Sequence, residues 1–398
     1  MASLPYWLWL STRRGLQPGL AAAVLEHFGT PEKAYFADPE EYDLIPGLTE
    51  PVKERLRYQS LEEPERILEE CDRLGLRILT MGDADYPDRL KNIYGPPLVL
   101  YVRGKLPRFD EEAAVALVGA RKPSAYGLRM AEKLGSELTR GGGLVVSGIA
   151  QGVDAAAIRG ALKAGGPVVS VLGGGIDVIY PWQNRFLYED VAASGALLSE
   201  YLPGTEPAGW HFPVRNRIIS GLCLGVTAVE CGLHSGTMTT VEQALDQDRD
   251  IFAVPGNADA PMSKGPNLLI QQGAKLVTCG WDILREYAGY FPGKIRPDAA
   301  YEEGRPEEDK TRAAEPDREK TVDKLPRRAY IDVSNLTEDQ RAVLSALEEG
   351  KRTPDELVEL TGIPARRVLS ALTLLQIQGH VMEHPGKRFE VLGAPGET

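Results

Sequence analysis

Residues 113–288 alternate short, continuously apolar runs with stretches of helical periodicity, and no other feature narrows the fold as far. The runs are AVALVG, LVVSG, VVSVLG, ALLSE, GVTAVE and DIFAVP. Helical stretches such as GLRMAEKLGSELTR, VDAAAIRGALKA, NRFLYEDVAA and MTTVEQALDQ separate them. A strand with one wet face alternates apolar and polar residues, whereas an unbroken apolar run is expected where both sheet faces are covered. Repeated strand–helix units call for right-handed crossovers and a parallel sheet. The predicted class is α/β, with a doubly wound parallel sheet whose ligands sit at the carboxyl ends of the strands.

Those strand ends are where the glycines gather. Gly119-Ala120-Arg121 follows the first run, Ser147-Gly148 and Gly152 the second, and Gly173-Gly174-Gly175 the third. Glu230 closes the strand before Ser235-Gly236-Thr237, and Pro255-Gly256 follows the next. Glycine lets a backbone approach a ligand, and helix N-termini add positive dipole ends. One such loop is an ordinary tight turn. Five at successive strand ends predict an edge of amide groups suited to phosphate.

The segment Phe212-Pro213-Val214-Arg215-Asn216-Arg217 is the second signal. We expect a loop in which the Arg215 and Arg217 guanidinium forks grip phosphate oxygens. Phe212 would stack on an unpaired base. Asn216 would bond a base edge or fix the loop.

The flanks divide the rest of the chain. Residues 1–65 read as short helices, with Pro-Gly just before the apolar stretches of LQPGLAAAVLEHFG and IPGLTEPVKERLRY. Such a unit either packs as a small bundle or presents amides to a phosphate. Residues 66–112 read as a connector in which RILEECDRLG is helical, LRILT is a strand and the following stretch runs extended, where Pro96 and Pro97 argue against a central strand. The segment after residue 288, up to 333, is dense in charge of both signs and poor in apolar residues, which predicts a flexible linker. Residues 334–392 read as three helices and a hairpin, a winged helix, with Thr337 as a cap.

Composition bounds the function. The 398 residues carry a net charge of −12. Residues 113–288 nonetheless hold nearly equal numbers of basic and acidic side chains, so any nucleic-acid site must be a focused groove, with a modest salt dependence. The winged-helix region is acid-rich, which disfavours strong duplex binding. No apolar run is long enough for a membrane helix, no signal peptide is evident, and four scattered cysteines suggest the cytoplasm. No GxGxxG or GxxxxGK[ST] motif occurs, so no cofactor and no ATP hydrolysis are expected. Cys231 and His234 lack a second pair for zinc, and Ser235 lacks an identifiable base, so neither a metal nor a catalytic residue is assigned. Asp154 and Asp177 are expected to cap helices or fix loops.

Taken together, these residues resemble the DprA/Smf family. The ordered motifs run from Asp85-Tyr86-Pro87 to Gly273-Ala274 and include VGAR…S.YG, SGIAQGVD, GGGIDVIYP, LLSEY, FPVRNRII and SGTMTTVEQAL. The resemblance implies an extended Rossmann core, a SAM- or helix-hairpin-helix-like N-terminal domain and a C-terminal winged helix. It further implies non-catalytic binding of single-stranded DNA in natural transformation, protection of the strand against single-strand-binding protein, loading of RecA, and dimerisation through the core. It places Arg121 and the Arg215–Arg217 loop in the DNA groove, lined by Gly119, Ser147, Gly148, Gly173 and Ser235-Gly236-Thr237. One departure is Ile158, where the family usually has histidine on the face shared with Asp154. Two other functions remain in view: a nucleotide phosphoribohydrolase, whose glycine-rich loop is similar to residues 232–242, and a duplex-binding winged-helix regulator.

Overall fold

The computed structural model describes residues 3–297, 330–331, 336–347, 350–378, 380–384, 387–391 and 394–395. Residues 1–308 form one compact unit and 309–398 a second. Most of the expected linker therefore lies outside the described residues. Its first part does not behave as a linker: Ile295 is buried in the main core, and Lys294 pairs with Glu112 at 2.7 Å.

Five N-terminal helices, α1 (Leu4–Ser11), α2 (Pro18–Phe28), α3 (Pro31–Tyr35), α4 (Glu50–Arg57) and α5 (Glu62–Arg73), precede the sheet. Trp7, Leu8, Trp9 and Leu10 of α1 are all buried. Trp9 and Leu10 pack among Val24, Phe28, Tyr42 and Leu56 of the helical unit. Trp7 and Leu8 pack with Cys71, Val99 and Tyr101 in the core beneath the sheet. A helix apolar all round is a buried one, and α1 belongs to two cores.

The sheet has nine strands: β1 (Arg77–Thr80), β2 (Val99–Gly104), β3 (Ala113–Val118), β4 (Gly143–Ser147), β5 (Val168–Val171), β6 (Ala196–Ser199), β7 (Gly225–Ala228), β8 (Asp250–Ala253) and β9 (Lys275–Leu276). Their order is β1-β2-β6-β5-β4-β3-β7-β8-β9. The seven strands from β6 to β9 are parallel, and β2 joins β6 antiparallel. The expected connector is thus partly sheet. Pro96 and Pro97 fall just ahead of β2, where a missing N–H costs no ladder bond, and β2 pairs on both sides with β1 and β6.

Side chains of β3 show why its run is unbroken. Ala113, Val115 and Leu117 enter one core, and Ala114, Ala116 and Val118 the other. After the short α6 (Asp88–Lys91), the crossover helices are α7 (Ala125–Arg140), α8 (Val153–Lys163), α9 (Arg185–Ser194), α10 (His211–Leu222), α11 (Gly236–Asp246), α12 (Lys264–Gln271) and α13 (Gly280–Leu284). α7, α8, α9 and α13 cover one face, and α10, α11 and α12 the other. In the second unit, α14 (Glu338–Leu347), α15 (Pro354–Thr361) and α16 (Ala365–Ile377) surround a small apolar core. β10 (Tyr330–Ile331) pairs with β13 (Ala394–Pro395), and β11 (Val381–His384) with β12 (Arg388–Val391) forms the wing. Thr337 and Gln340 cap α14 reciprocally.

Helices α7 and α8 meet through glycine. A Cβ on Gly135 would collide with the Ala157 carbonyl, and one on Gly160 with the Glu132 carbonyl. Alanine gains about 1 kcal/mol over glycine in a helix interior, but overpacking against backbone costs about 1–3 kcal/mol. Gly135→Ala and Gly160→Ala should therefore each lower the denaturant midpoint of the first unit; a raised midpoint would refute this packing.

Candidate nucleic-acid interface

The strand order reverses at β3: β4, β5 and β6 follow on one side, β7 and β8 on the other. The loops leaving β3 and β7 therefore diverge, and a crevice opens at their carboxyl ends. It is a trough of about 580 Å³. Gly119, Arg121, Phe212, Arg215, Asn216, Ser235, Gly236 and Thr237 all line it, along with Lys122 and Asp154. Ser147, Gly148, Gly173 and Arg217 do not.

Three helix starts border this edge; that of α7 is capped by side chains, and at α8 the first amide, that of Val153, donates to the Ala120 carbonyl at 3.2 Å. At α7, Ser124 accepts from the Gly127 N–H, and the buried Glu230 carboxylate accepts the Ser124 N–H and hydroxyl, each at 2.7 Å. A Cβ on Gly127 would strike that carboxylate. Asp154, in the first turn of α8, reaches back to the loop after β4 and accepts the N–H groups of Gly148 at 3.1 Å and Ala150 at 3.4 Å. Its expected loop-fixing role is observed, and so is that of Asp177, which accepts the Gly204 N–H at 2.7 Å. α11 begins at Ser235 with no side-chain cap, and neither Gly232 nor Gly236 has any atom where a Cβ would lie. The first-turn amides of α11 are thus the ones offered to an anion in the trough.

The other glycines serve internal contacts. A Cβ would strike Val153 at Gly119, the Arg215 guanidinium at Gly148 and the Phe212 ring at Gly173. Glycine is needed at these positions for internal packing, while Gly119 still borders the trough and Gly148 the cavity beside it. Ser147 is fully buried and donates to the Leu117 carbonyl at 2.7 Å, so it holds β4 to β3.

The Arg215–Arg217 segment is corrected: it is not a loop but the middle of α10, and all three residues are buried. Arg215 Nη1 donates to the Gly148 carbonyl at 2.9 Å and to the Val171 carbonyl, and Nε donates to Asn216 Oδ1 at 3.2 Å. Burial pushes the Arg215 guanidinium down and the Asp154 carboxyl up, while each charge opposes the other's shift. Arg217 turns away from the trough to Glu200 and meets both carboxylate oxygens, at 2.6 and 2.8 Å. Asn216 Nδ2 reaches Thr239 Oγ1 at 3.4 Å and ties α10 to α11. Ile158, in the place of the family histidine, is fully buried in the main apolar core, and Asp154 is met by backbone amides, Arg215 and Ser147.

The cations left for a ligand are Arg121 and Lys122, both exposed and without an ion pair among the described residues. Arg121 lies over the Phe212 ring, 5.0 Å from its centroid. Sequence reasoning singled out Arg121 but missed Lys122, its neighbour, which no motif marks. It also missed Ile149, a β-branched residue at φ +53°, a strained conformation. Asn184 holds it by donating Nδ2 to the carbonyls of Ile149 at 2.8 Å and Ala150 at 3.0 Å. Cys231 is buried against the Met238 sulfur while His234 is exposed, and no group of three metal-binding side chains occurs among the described residues.

Known proteins carry the same architecture. Residues 77–288 match the family model of DNA recombination-mediator protein A, and residues 329–387 that of the DprA winged helix domain. Protein Smf of Synechocystis is 32% identical, over 97% of this chain and 98% of its own. The DNA processing protein DprA of Bacillus subtilis is 37% identical over 64% and 88%, respectively. The crystal structure of DprA from Streptococcus pneumoniae superposes with a TM-score of 0.64 at 34% identity, covering 71% of this chain and 97% of that one.

The two kinds of arginine should separate experimentally. Arg215→Ala leaves the Gly148 and Val171 carbonyls without their donor, at roughly 1–3 kcal/mol for each group left unpaired. Arg121→Ala removes an exposed cation–π contact worth about 0.5–1 kcal/mol. Denaturant titration should show a large loss of stability for the first and little for the second; equal losses would contradict this assignment.

Proposed function

The chain belongs to the DNA recombination-mediator protein A family, whose members include DprA and Smf, and from that premise we propose that it binds single-stranded DNA without cutting it and hands the strand to RecA. The observation that carries the reading is the open start of α11, which faces Arg121, Lys122 and Phe212 across one trough. Amides and two free cations suit phosphates, and the aromatic ring suits an unpaired base. The site is compatible with a net charge of −12 because the acids nearest to it, Glu230 and Asp154, are engaged by backbone groups. Displacement of single-strand-binding protein, a homodimer built on the core and a cytoplasmic setting complete the proposal, supported by family membership. No described helix is long and apolar enough to cross a membrane.

Against a phosphoribohydrolase, the glutamate of that loop, Glu242, is exposed on α11 and does not line the trough. Against a duplex reader, Arg367 of the winged helix is held by Asp339 at 2.6 and 2.7 Å.

For single strands the slope of log K against log salt is about −0.7 per phosphate contact. Arg121→Ala/Lys122→Ala should weaken oligo-dT binding and flatten that slope by about 1.4; unchanged affinity and slope would remove the trough as the site. On a strand coated with single-strand-binding protein, the wild type should shorten the lag of RecA filament formation, followed by RecA ATPase, and the double variant should not. An unaltered lag with wild type would sink the loading role.

A further inference from the structure

The trough does not end at Phe212. A second cavity of about 410 Å³ adjoins it and shares Arg121, Ala150 and Phe212 with it, so the two are continuous. Its outer wall is the segment from Ile179 to Gln183, which leads into α9. Two large aromatic side chains of this wall face water, Tyr180 at 44% exposed and Trp182 at 64%, and a third, Phe186 at 67%, follows in the first turn of α9.

Two observations mark them as more than incidental surface. The Arg185 guanidinium lies between two of the rings, 5.3 Å from the Trp182 centroid and 4.1 Å from that of Phe186, and has no ion pair among the described residues. The segment is also riveted down. Asn184 donates to the carbonyls of Ile149 and Ala150 in the loop that follows β4. The Tyr188 hydroxyl accepts the Tyr180 N–H at 3.1 Å and donates to the Tyr180 carbonyl at 2.7 Å. Exposed rings on a fixed backbone have little ordering entropy left to lose on binding. Tyr180 and Trp182 line the same cavity as Arg121 and Phe212, with the Tyr180 and Phe212 centroids 5.7 Å apart, and Arg185 links Trp182 to Phe186.

We infer that Tyr180, Trp182 and Phe186, with Arg185, form a stacking platform for unpaired bases of the same strand whose phosphates the trough holds. The inference rests on the strand-binding reading above. A base stacks through its π-face, which every base has, so the platform is indifferent to sequence. In a duplex those faces are covered by neighbouring pairs, and the platform has nothing to grip. It thus supplies preference for single strands, which phosphate contacts alone do not.

The test uses the full chain, with oligo-dT as ligand and a matched duplex as control. Titration with oligo-dT should quench tryptophan emission in the wild type. Trp182→Phe should keep the affinity and lose most of the quench. Trp182→Ala/Phe186→Ala, both on exposed side chains, should weaken oligo-dT binding about ten- to hundredfold. It should leave duplex binding and the salt slope unchanged, because the trough's cations remain. If that double variant binds oligo-dT as the wild type does, the platform is rejected while the trough reading stands. If the wild type fails to bind oligo-dT, both fall. Should the double variant keep strand affinity but lose RecA loading, the segment is a protein contact and the inference is overturned.

Discussion

The reversal of strand order at β3 is the constraint on which the site depends. A strand buried on both faces holds mostly apolar side chains, so charged and ligand-facing groups are displaced to its ends. Where successive crossovers leave on opposite sides of one strand, the loops part and backbone amides are exposed between them. Here the parting loops belong to β3 and β7. The expected chemistry is therefore set by topology before any particular side chain is chosen.

The polar residues at that edge divide into two groups by what they satisfy. Glu230, Asp154 and Arg215 answer backbone groups of the protein itself: a helix start, a turn and two carbonyls. Buried charges are tolerable on those terms because each is hydrogen-bonded. Their work leaves the start of α11 without a side-chain cap and the exposed Arg121 and Lys122 without an ion pair among the described residues. The acidic surplus of the molecule and the capture of an anion coexist because field strength at a site depends on the few nearest groups, and more distant exposed charges are screened.

The sheet was legible in the sequence because a short apolar run bounded by glycine and followed by helical periodicity fits little besides a buried parallel strand. The six runs of residues 113–288 all became strands, and Thr337 capped its helix. The run LRILT announced β1, but β2 was harder, since prolines just ahead of an extended run mask a strand that starts after them. The site was half legible. Residue type announced Arg121, Phe212 and the loop at Ser235. It misled at Arg215 and Arg217, because an RNR sequence says nothing about which face of a helix it will occupy or which carbonyls wait there. Glycine was similarly ambiguous: Gly236 and Gly148 look alike in sequence, yet one borders open space and the other makes room for a guanidinium. Trp182 and Phe186 carried no motif, and only their exposure in the fold marks them.

The double membership of α1 has a mechanical consequence. Since Trp9 and Leu10 complete one core and Trp7 and Leu8 the other, neither can come apart without stripping apolar surface from its neighbour. The N-terminal helices are thus no detachable module on a tether. Whatever grips them pulls on the sheet as well, and load applied at one end of this unit is borne by the strands at the other.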